Sequence, residues 1–473
     1  MTELTPETIL KTSNPGDRTL RYKTLLVLML ALTVHAGDAL SKARPRESAE
    51  PRRDYPSIFQ AWSGIENLPQ DGELSRLARH DLVFTGSGLF GVTWEVSPEQ
   101  PYSALSTTLR SYKGDEPFSW GRRRRKELLK RNPHMRILCE LRYREARYVK
   151  DPPPEYWKRG DLPPDSEFWL REDGELAPGW GEDDDGDGKV ERDEIRFMLV
   201  DFTKEAFQNL LAEKARALEH SGLFDGIMLD WWKEGQATSG RWPNWDGTIM
   251  TAEEETEARL SILRKIRKKV SDDFLILVNS NYSKVPRSAP HVNGLFMECY
   301  RSEYDTGYTD DQMSRIEDTL LWAERNLRRP RINCLEGWRI VEDYTGNRRV
   351  RVRERNSSEN RKWMRLFTTL SLTHSDGYVL FSDHNALPAP DHLHNWYDFW
   401  DADLGRPVGE KARTCDGVDG LFLREFEKGW AACNRSGSAR KISFGKDVTA
   451  FTTGKTASSH TVPNYDGQIF LKK

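Results

Sequence analysis

Long apolar runs are scarce in this chain of 473 residues. One stands out, Leu25–Val34 (LLVLMLALTV), behind Arg18, Arg21 and Lys23 and just before the small-residue pattern Val34-His35-Ala36. Ten residues are too few to span a bilayer as a mature helix, so the segment reads as an export signal over residues 1–40, and no other stretch is expected to cross a membrane. Net charge is nearly absent too, at -3. A field that weak gives no whole-protein attraction to nucleic acid or an anionic lipid surface, and the local basic runs Arg122–Lys126 and Arg348–Arg355 read as solvated faces. Cysteine is sparse: Cys139, Cys299, Cys334, Cys415 and Cys433 match no zinc spacing. The first three fall in apolar runs and read as inert core residues. Cys415 and Cys433 are free to pair or not. A Gly-rich phosphate turn and a Gly-x-Ser-x-Gly elbow are both missing, which removes the usual nucleotide and serine-hydrolase readings.

What is present is a polar but globular composition, 37% hydrophobic and 31% charged, with 16 tryptophans. Indole is large, flat and amphipathic, which suits the apolar face of a sugar as well as a core. After an Arg/Pro/Ser/Glu-rich linker over 41–56, short strand-like runs alternate with helical ones. The runs are Leu82–Thr85, Arg136–Tyr143, Phe197–Phe202, Phe224–Trp232, Phe274–Asn281, Gly294–Tyr300, Arg331–Trp338 and Gly377–His384. Helical spacing marks Glu205–His220, Ala252–Val270, Asp311–Arg328 and Ser358–Leu372. Strand-helix alternation implies parallel strands with crossover helices. Eight strands predict an α/β fold, a closed (β/α)8 TIM barrel over 57–415, with a doubly wound sheet as the alternative. After Asp416 the texture changes to short β-like runs separated by turns, which predicts a small antiparallel β-domain over 416–473.

Nearly every run carries a polar residue at its C-terminal edge, where barrel enzymes place their chemistry. Strand alternation sharpens this. In FDGIMLD, Gly226, Met228 and Asp230 share one face; in GLFMEC, Gly294, Phe296 and Glu298 do. Both carboxylates can therefore face the barrel mouth. Cleavage of a glycosidic bond needs two carboxyl groups, one to protonate the leaving oxygen and one to attack or to activate water. Asp230, ending the fourth strand, is the candidate nucleophile or base, and Glu298, ending the sixth, the candidate acid. Glu336 on the seventh is the rival acid. Glu140 and Asp201 are candidate helpers, and Arg142 a candidate cation for Asp201 or Asp230. Asn281 and Asp383 are read as hydroxyl-binding groups, and Trp231, Trp232, Tyr300 and Trp338 as surfaces for the sugar. No cofactor is expected for the chemistry.

A second motif spans Asp183–Glu194. Asp183, Asp185 and Asp187 take positions 1, 3 and 5 of a calcium loop; Gly188 takes position 6, Lys189 position 7, Glu191 position 9 and Glu194 position 12. The flanks do not read as EF-hand helices, so the expectation is a lone loop inserted before the third strand, holding Ca2+ for structure. His392-Leu393-His394 resembles half a metal site and reads as ordinary core unless both imidazoles converge with acidic groups.

At FDGIMLDWW, GLFMECY and Trp396–Glu410 (WYDFWDADLGRPVGE) the chain resembles a family of hypothetical glycoside hydrolases, bacterial barrels distantly similar to endo-α-1,4-polygalactosaminidase and α-galactosidase-type barrels. The resemblance runs from about Asp81 to the C-terminus, and Phe426–Asn434 is similar to the start of the β-domain that follows such barrels. It implies an Asp nucleophile at the end of strand four and a carboxylic acid at the end of strand six, which fall on Asp230 and Glu298. It also implies an α-linked poly- or oligosaccharide as substrate. The competing expectation is a carbohydrate-binding barrel without catalysis.

Overall fold

The computed structural model describes residues 53–473, apart from 69–71, 114–117, 182–193, 242–245, 302, 345, 386 and 388. Eight strands form one parallel sheet: β1 (Phe59–Ala61), β2 (Leu82–Thr85), β3 (Arg136–Glu140), β4 (Gly226–Leu229), β5 (Leu275–Asn279), β6 (Gly294–Glu298), β7 (Cys334–Trp338) and β8 (Tyr378–Ser382). Each pairs in parallel with the next. The sheet closes where the Val379 amide donates to the Ser57 carbonyl at 2.9 Å, beside a parallel bridge between Ile58 and Val379. This is the (β/α)8 barrel, and it has no free edge to protect.

Its strands are almost wholly buried on both faces, as parallel strands under helices must be. Glycine opens two of them because nothing larger fits. A Cβ at Gly226 would lie 2.2 Å from the Leu275 carbonyl oxygen, and one at Gly294 2.5 Å from that of Ile332. The outer helices include α1 (Glu205–Ser221), α2 (Ala252–Arg267), α3 (Asp310–Asn326) and α4 (Ser358–His374). Capping boxes start α2 at Thr251 with Glu254 and α3 at Thr309 with Gln312.

Two expectations are corrected. Phe197–Phe202 does not join the barrel. Its strand, Ile195–Leu199, lies between Glu145–Arg147 and Pro178–Gly181 in a separate antiparallel sheet inserted after β3. The first barrel strand is instead Phe59–Ala61, too short and too polar at Gln60 to show a period. One excess and one omission offset each other, so Asp230 still ends the fourth strand and Glu298 the sixth. The linker also ends earlier than Pro56. Arg53 is buried against the barrel, donating to Tyr378 Oη at 3.0 Å and to the Gly377 carbonyl at 3.0 Å.

The C-terminal residues form a five-stranded antiparallel sheet: β9 (Leu421–Phe426), β10 (Gly429–Asn434), β11 (Arg440–Ala450), β12 (Thr456–Val462) and β13 (Asp466–Lys472), in the order β9-β10-β13-β11-β12. Its own core holds Leu421, Ile442, Val448, Val462 and Phe470. Arg365 of α4 grips Asp466 through two bonds of 2.8 and 2.7 Å, which pins the sheet to the barrel. The five cysteines are free and buried, so Cys415 and Cys433 do not pair. No helix among the described residues is long and apolar enough to cross a membrane.

Candidate active site

Asp230 and Glu298 meet at the C-terminal mouth of the barrel. Both are half-buried, so each keeps a path to solvent. Asn279, the last residue of β5, stands between them on the intervening strand. Its Nδ2 donates to Asp230 Oδ1 at 2.8 Å and to Glu298 Oε2 at 2.9 Å. Those bonds cap the separation of the two oxygens at about 5.7 Å, the sum of their lengths. One amide thus fixes two carboxyl groups of the same sign over one hollow. Its Oδ1 in turn accepts the Asn281 amide at 3.0 Å, which locks the side chain's orientation.

The electrostatics follow from that crowding. Burial, with Glu298, Glu140 and Glu145 nearby, pushes Asp230 up to about 7. Burial also raises Glu298, to about 6, with His392 pulling it down and Glu336 pushing it up. Two carboxyls with raised affinity for a proton, held close together, titrate as a coupled pair near neutral pH. Lys233 lies close enough to both to feel their charge.

A ring of aromatic groups forms the floor and rim. Phe59, Phe84 and Phe296 pack beneath with centroids 5.1–6.0 Å apart. Trp62, just past β1, donates Nε1–H to Glu140 Oε2 at 3.0 Å, and its ring lies 5.0 Å from the His392 imidazole. Trp231 is 39% exposed, with the Arg144 guanidinium 4.4 Å over its ring. Tyr300 is 48% exposed. Four non-glycine residues at this end have positive φ: Trp62 (42°), Trp231 (53°), Asn281 (52°) and His392 (57°). Asn and His visit that region readily, but the bulky Trp62 and Trp231 rarely do, and strain of this kind collects at functional sites.

The remaining predicted residues divide. Glu140 is at the mouth, bonded by Trp62 and, at 3.3 Å, by Arg142 Nε. Asn281 is there as well, donating Nδ2–H to the Glu298 carbonyl at 2.9 Å. Arg142 pairs with Glu140, not with Asp201 or Asp230. Asp201 is not at a barrel strand end: it follows the inserted sheet, where its Oδ1 accepts the Thr203 amide at 3.1 Å just before α1. Trp232 and Trp338 are fully buried and present no face to a sugar. Trp232 packs on Tyr143 and donates to Ser288 Oγ at 3.0 Å, and Trp338 lies under Tyr300 and Tyr304.

Asp383 is sealed off. Its Oδ1 accepts from Arg339 Nε at 2.5 Å and Arg355 Nε at 2.9 Å, and its Oδ2 from a second Arg355 nitrogen. Against the upward push of burial, Arg355 and Arg339 hold its carboxyl below the usual range. It binds no sugar hydroxyl; it centres a buried network that also includes Glu66, Arg351 and Glu354.

Glu336 is fully buried, in register with Glu298 on the neighbouring strand. Its Oε1 accepts from Ser382 Oγ at 2.6 Å and faces His392 Nδ1 at 2.8 Å, while Oε2 has no hydrogen-bond partner among the described residues. One donor atom each from Glu298, Glu336 and His392 lie within 4.8 Å of one another. These are donor types a cation would accept, but His392 has a carboxylate against each nitrogen, with Asp391 Oδ2 3.4 Å from Nε2. Burial pushes the imidazole down, and Glu336 and Asp391 outweigh it, so it sits well above its ordinary value. Glu336, His392 and Asp391 thus form one charged, bonded group beside Glu298. His394 does not join it; its Nε2 lies 3.0 Å from that of buried His80. Of the calcium-loop residues, Asp183, Asp185, Asp187, Lys189 and Glu191 lie outside the described residues, and Glu194 is buried at the start of the inserted strand.

Asn279, Trp62 and His392 had no decisive sequence signal. Asn279 is one of two strand-end asparagines, Trp62 follows a strand too short to detect, and His392 gains its meaning only from distant Glu336.

Solved structures similar to the chain are of low identity. An α-amylase from Malbranchea cinnamomea is 11% identical, covering 88% of this chain and 96% of its own, with a TM-score of 0.47. A maltogenic α-amylase from Thermotoga neapolitana gives 11%, 88%, 99% and 0.47. A debranching enzyme from Nostoc punctiforme gives 12%, 88%, 98% and 0.41. No curated protein matches. The model of hypothetical glycosyl hydrolase family 15 matches residues 180–430, more than half of the chain and the stretch that carries Asp230, Asn279, Glu298, Glu336 and His392, and the chain belongs to that family.

Proposed function

We propose that this glycoside hydrolase cleaves its substrate between Asp230 and Glu298, with retention of configuration at the anomeric carbon. The observation that carries the reading is the single amide of Asn279 bonded to both carboxyls. Their closest oxygens are at most about 5.7 Å apart, short of the roughly 6.5–9.5 Å that leaves room for an attacking water and compatible with the closer spacing of about 5–5.5 Å at which one carboxylate attacks directly. Raised proton affinity suits a pair in which one member must donate near neutral pH. Trp231 and Tyr300 offer rims for the sugar faces. An α-linked poly- or oligosaccharide is the substrate class that the family resemblance favours. The test is reducing-sugar release across a polysaccharide panel by the wild type, Asp230→Asn and Glu298→Gln. Release by the wild type alone supports the reading; equal release by all three removes the pair from the chemistry, and binding without release by any of them leaves a carbohydrate-binding barrel.

Two further features complete the reading. The calcium-loop spacing of Asp183–Glu194 supports a structural Ca2+ bound by that segment. Added Ca2+ then raises the melting temperature and chelation lowers it; no response to either leaves a solvated acidic loop. Residues 1–40 act as an export leader, which N-terminal sequencing of the exported protein checks.

A further inference from the structure

Which member of the pair holds the proton is a separate question, and its answer rests on the hydrolase reading above. The two carboxyls have different neighbours. Glu298 lies within 4.8 Å of donor atoms of both His392 and Glu336. The imidazole is wedged between Glu336 at 2.8 Å and Asp391 at 3.4 Å, with Trp62 and Phe296 against its ring. An imidazole with a carboxylate on each nitrogen is held as a cation. Among the described residues no such cation is hydrogen-bonded to Asp230: its bond is to neutral Asn279, and the charges facing it are Glu298, Glu140 and Glu145, with Lys233 near enough to feel its charge.

We infer that His392, fixed as an imidazolium by Glu336 and Asp391, is a positioning residue that keeps Glu298 ionised and leaves the shared proton on Asp230, so that Glu298 is the nucleophile and Asp230 the acid. This reverses the roles that the resemblance implies. In the first step a Glu298 oxygen forms a bond to the anomeric carbon as the glycosidic C–O bond breaks. The electron pair goes to the leaving oxygen, which takes the proton from Asp230. In the second, ionised Asp230 removes a proton from water, the water oxygen bonds to the anomeric carbon, and Glu298 leaves as carboxylate. His392 touches neither reacting atom; it acts through the charge of Glu298.

Two measurements test it. Carboxyl 13C NMR of the full chain, with signals assigned by Asp230→Asn and Glu298→Gln, follows both groups with pH and needs no substrate. Glu298 is expected to titrate below Asp230, and His392→Asn to raise Glu298 and close or invert the gap. His392→Gln, which removes the imidazole charge and leaves Glu336 and Asp391 in place, should move Glu298 the same way if His392→Asn fails to fold. Glu298 titrating above Asp230 in the wild type, or unmoved in both variants, overturns the assignment. The second measurement is azide rescue on a p-nitrophenyl glycoside that the wild type cleaves. Asp230→Ala should yield a glycosyl azide of retained configuration and Glu298→Ala one of inverted configuration; exchanged products restore the opposite roles. A wild type that cleaves nothing in the panel counts against the hydrolase reading, while the titration still decides where the proton sits.

Discussion

Asp230 and Asp383 are alike in sequence, each an acidic residue just past a buried strand of the same barrel, yet the folded chain treats them oppositely. Asp383 meets three arginines, Arg339, Arg351 and Arg355, and disappears from solvent. Asp230 meets another carboxyl across a shared amide and keeps a solvent path. A buried carboxylate surrounded by guanidinium groups is part of the frame, because its charge is balanced and its oxygens are occupied. One surrounded by carboxyls holds a proton it can give away. What separates structure from chemistry at this barrel end is therefore the sign of the non-local partners, not the position on the strand.

The sharpest way to break this contrast is by substitution. Asp230→Asn and Glu298→Gln should lower kcat by about 10²–10⁴-fold or more while leaving the thermal transition near that of the wild type. Asp383→Ala should do the reverse in kind: it removes the carboxylate shared by Arg339 and Arg355, leaving them only Glu354 and Glu66, and should cost about 3–5 kcal/mol in denaturant unfolding. A Glu298→Gln variant that unfolds, or an Asp383→Ala variant that stays stable and loses only turnover, would erase the distinction.

Stability against pH reads the same difference more finely. The folded value of Asp383 lies below its ordinary one, so its contribution is present above about pH 4 and is lost as pH falls through the folded value. Asp230 runs the other way. Its folded value of about 7 exceeds the unfolded 3.8, so the folded chain binds the extra proton and stability declines as pH rises through that window. Asp230→Asn should thus stabilise more at pH 8 than at pH 4, and Asp383→Asn should destabilise more at pH 7 than at pH 3, each read by chemical denaturation at paired pH values. The smallest effect is expected at the rim. Trp231→Ala should raise KM with kcat and melting temperature little changed, whereas buried Trp338→Ala should lower the melting temperature.

Much of this architecture was legible in the sequence, and the failures have physical causes. Seven of the eight barrel strands announce themselves as apolar runs, because both faces of a parallel strand are buried. Phe59–Ala61 escapes notice because three residues carry no period, and Ile195–Leu199 misleads because an apolar run followed by Asp looks the same in an inserted antiparallel sheet. Alternation was enough to bring Asp230 and Glu298 to one mouth, since two-residue periodicity is local. Partners are not local. The arginines hydrogen-bonded to Asp383 come from positions 44 and 28 residues away, and Glu336 finds His392 56 residues downstream. Trp232 and Trp338 follow the same logic: each stands near a strand end, and only tertiary packing decides that Trp231 emerges while they do not.

The most direct measurement is the anomeric configuration of the first sugar released, followed by 1H NMR before mutarotation sets in. A pair held as closely as Asp230 and Glu298 predicts a product of the same configuration as the substrate. An inverted first product would contradict it, because inversion needs a water between two carboxyls that Asn279 holds too close together to admit one.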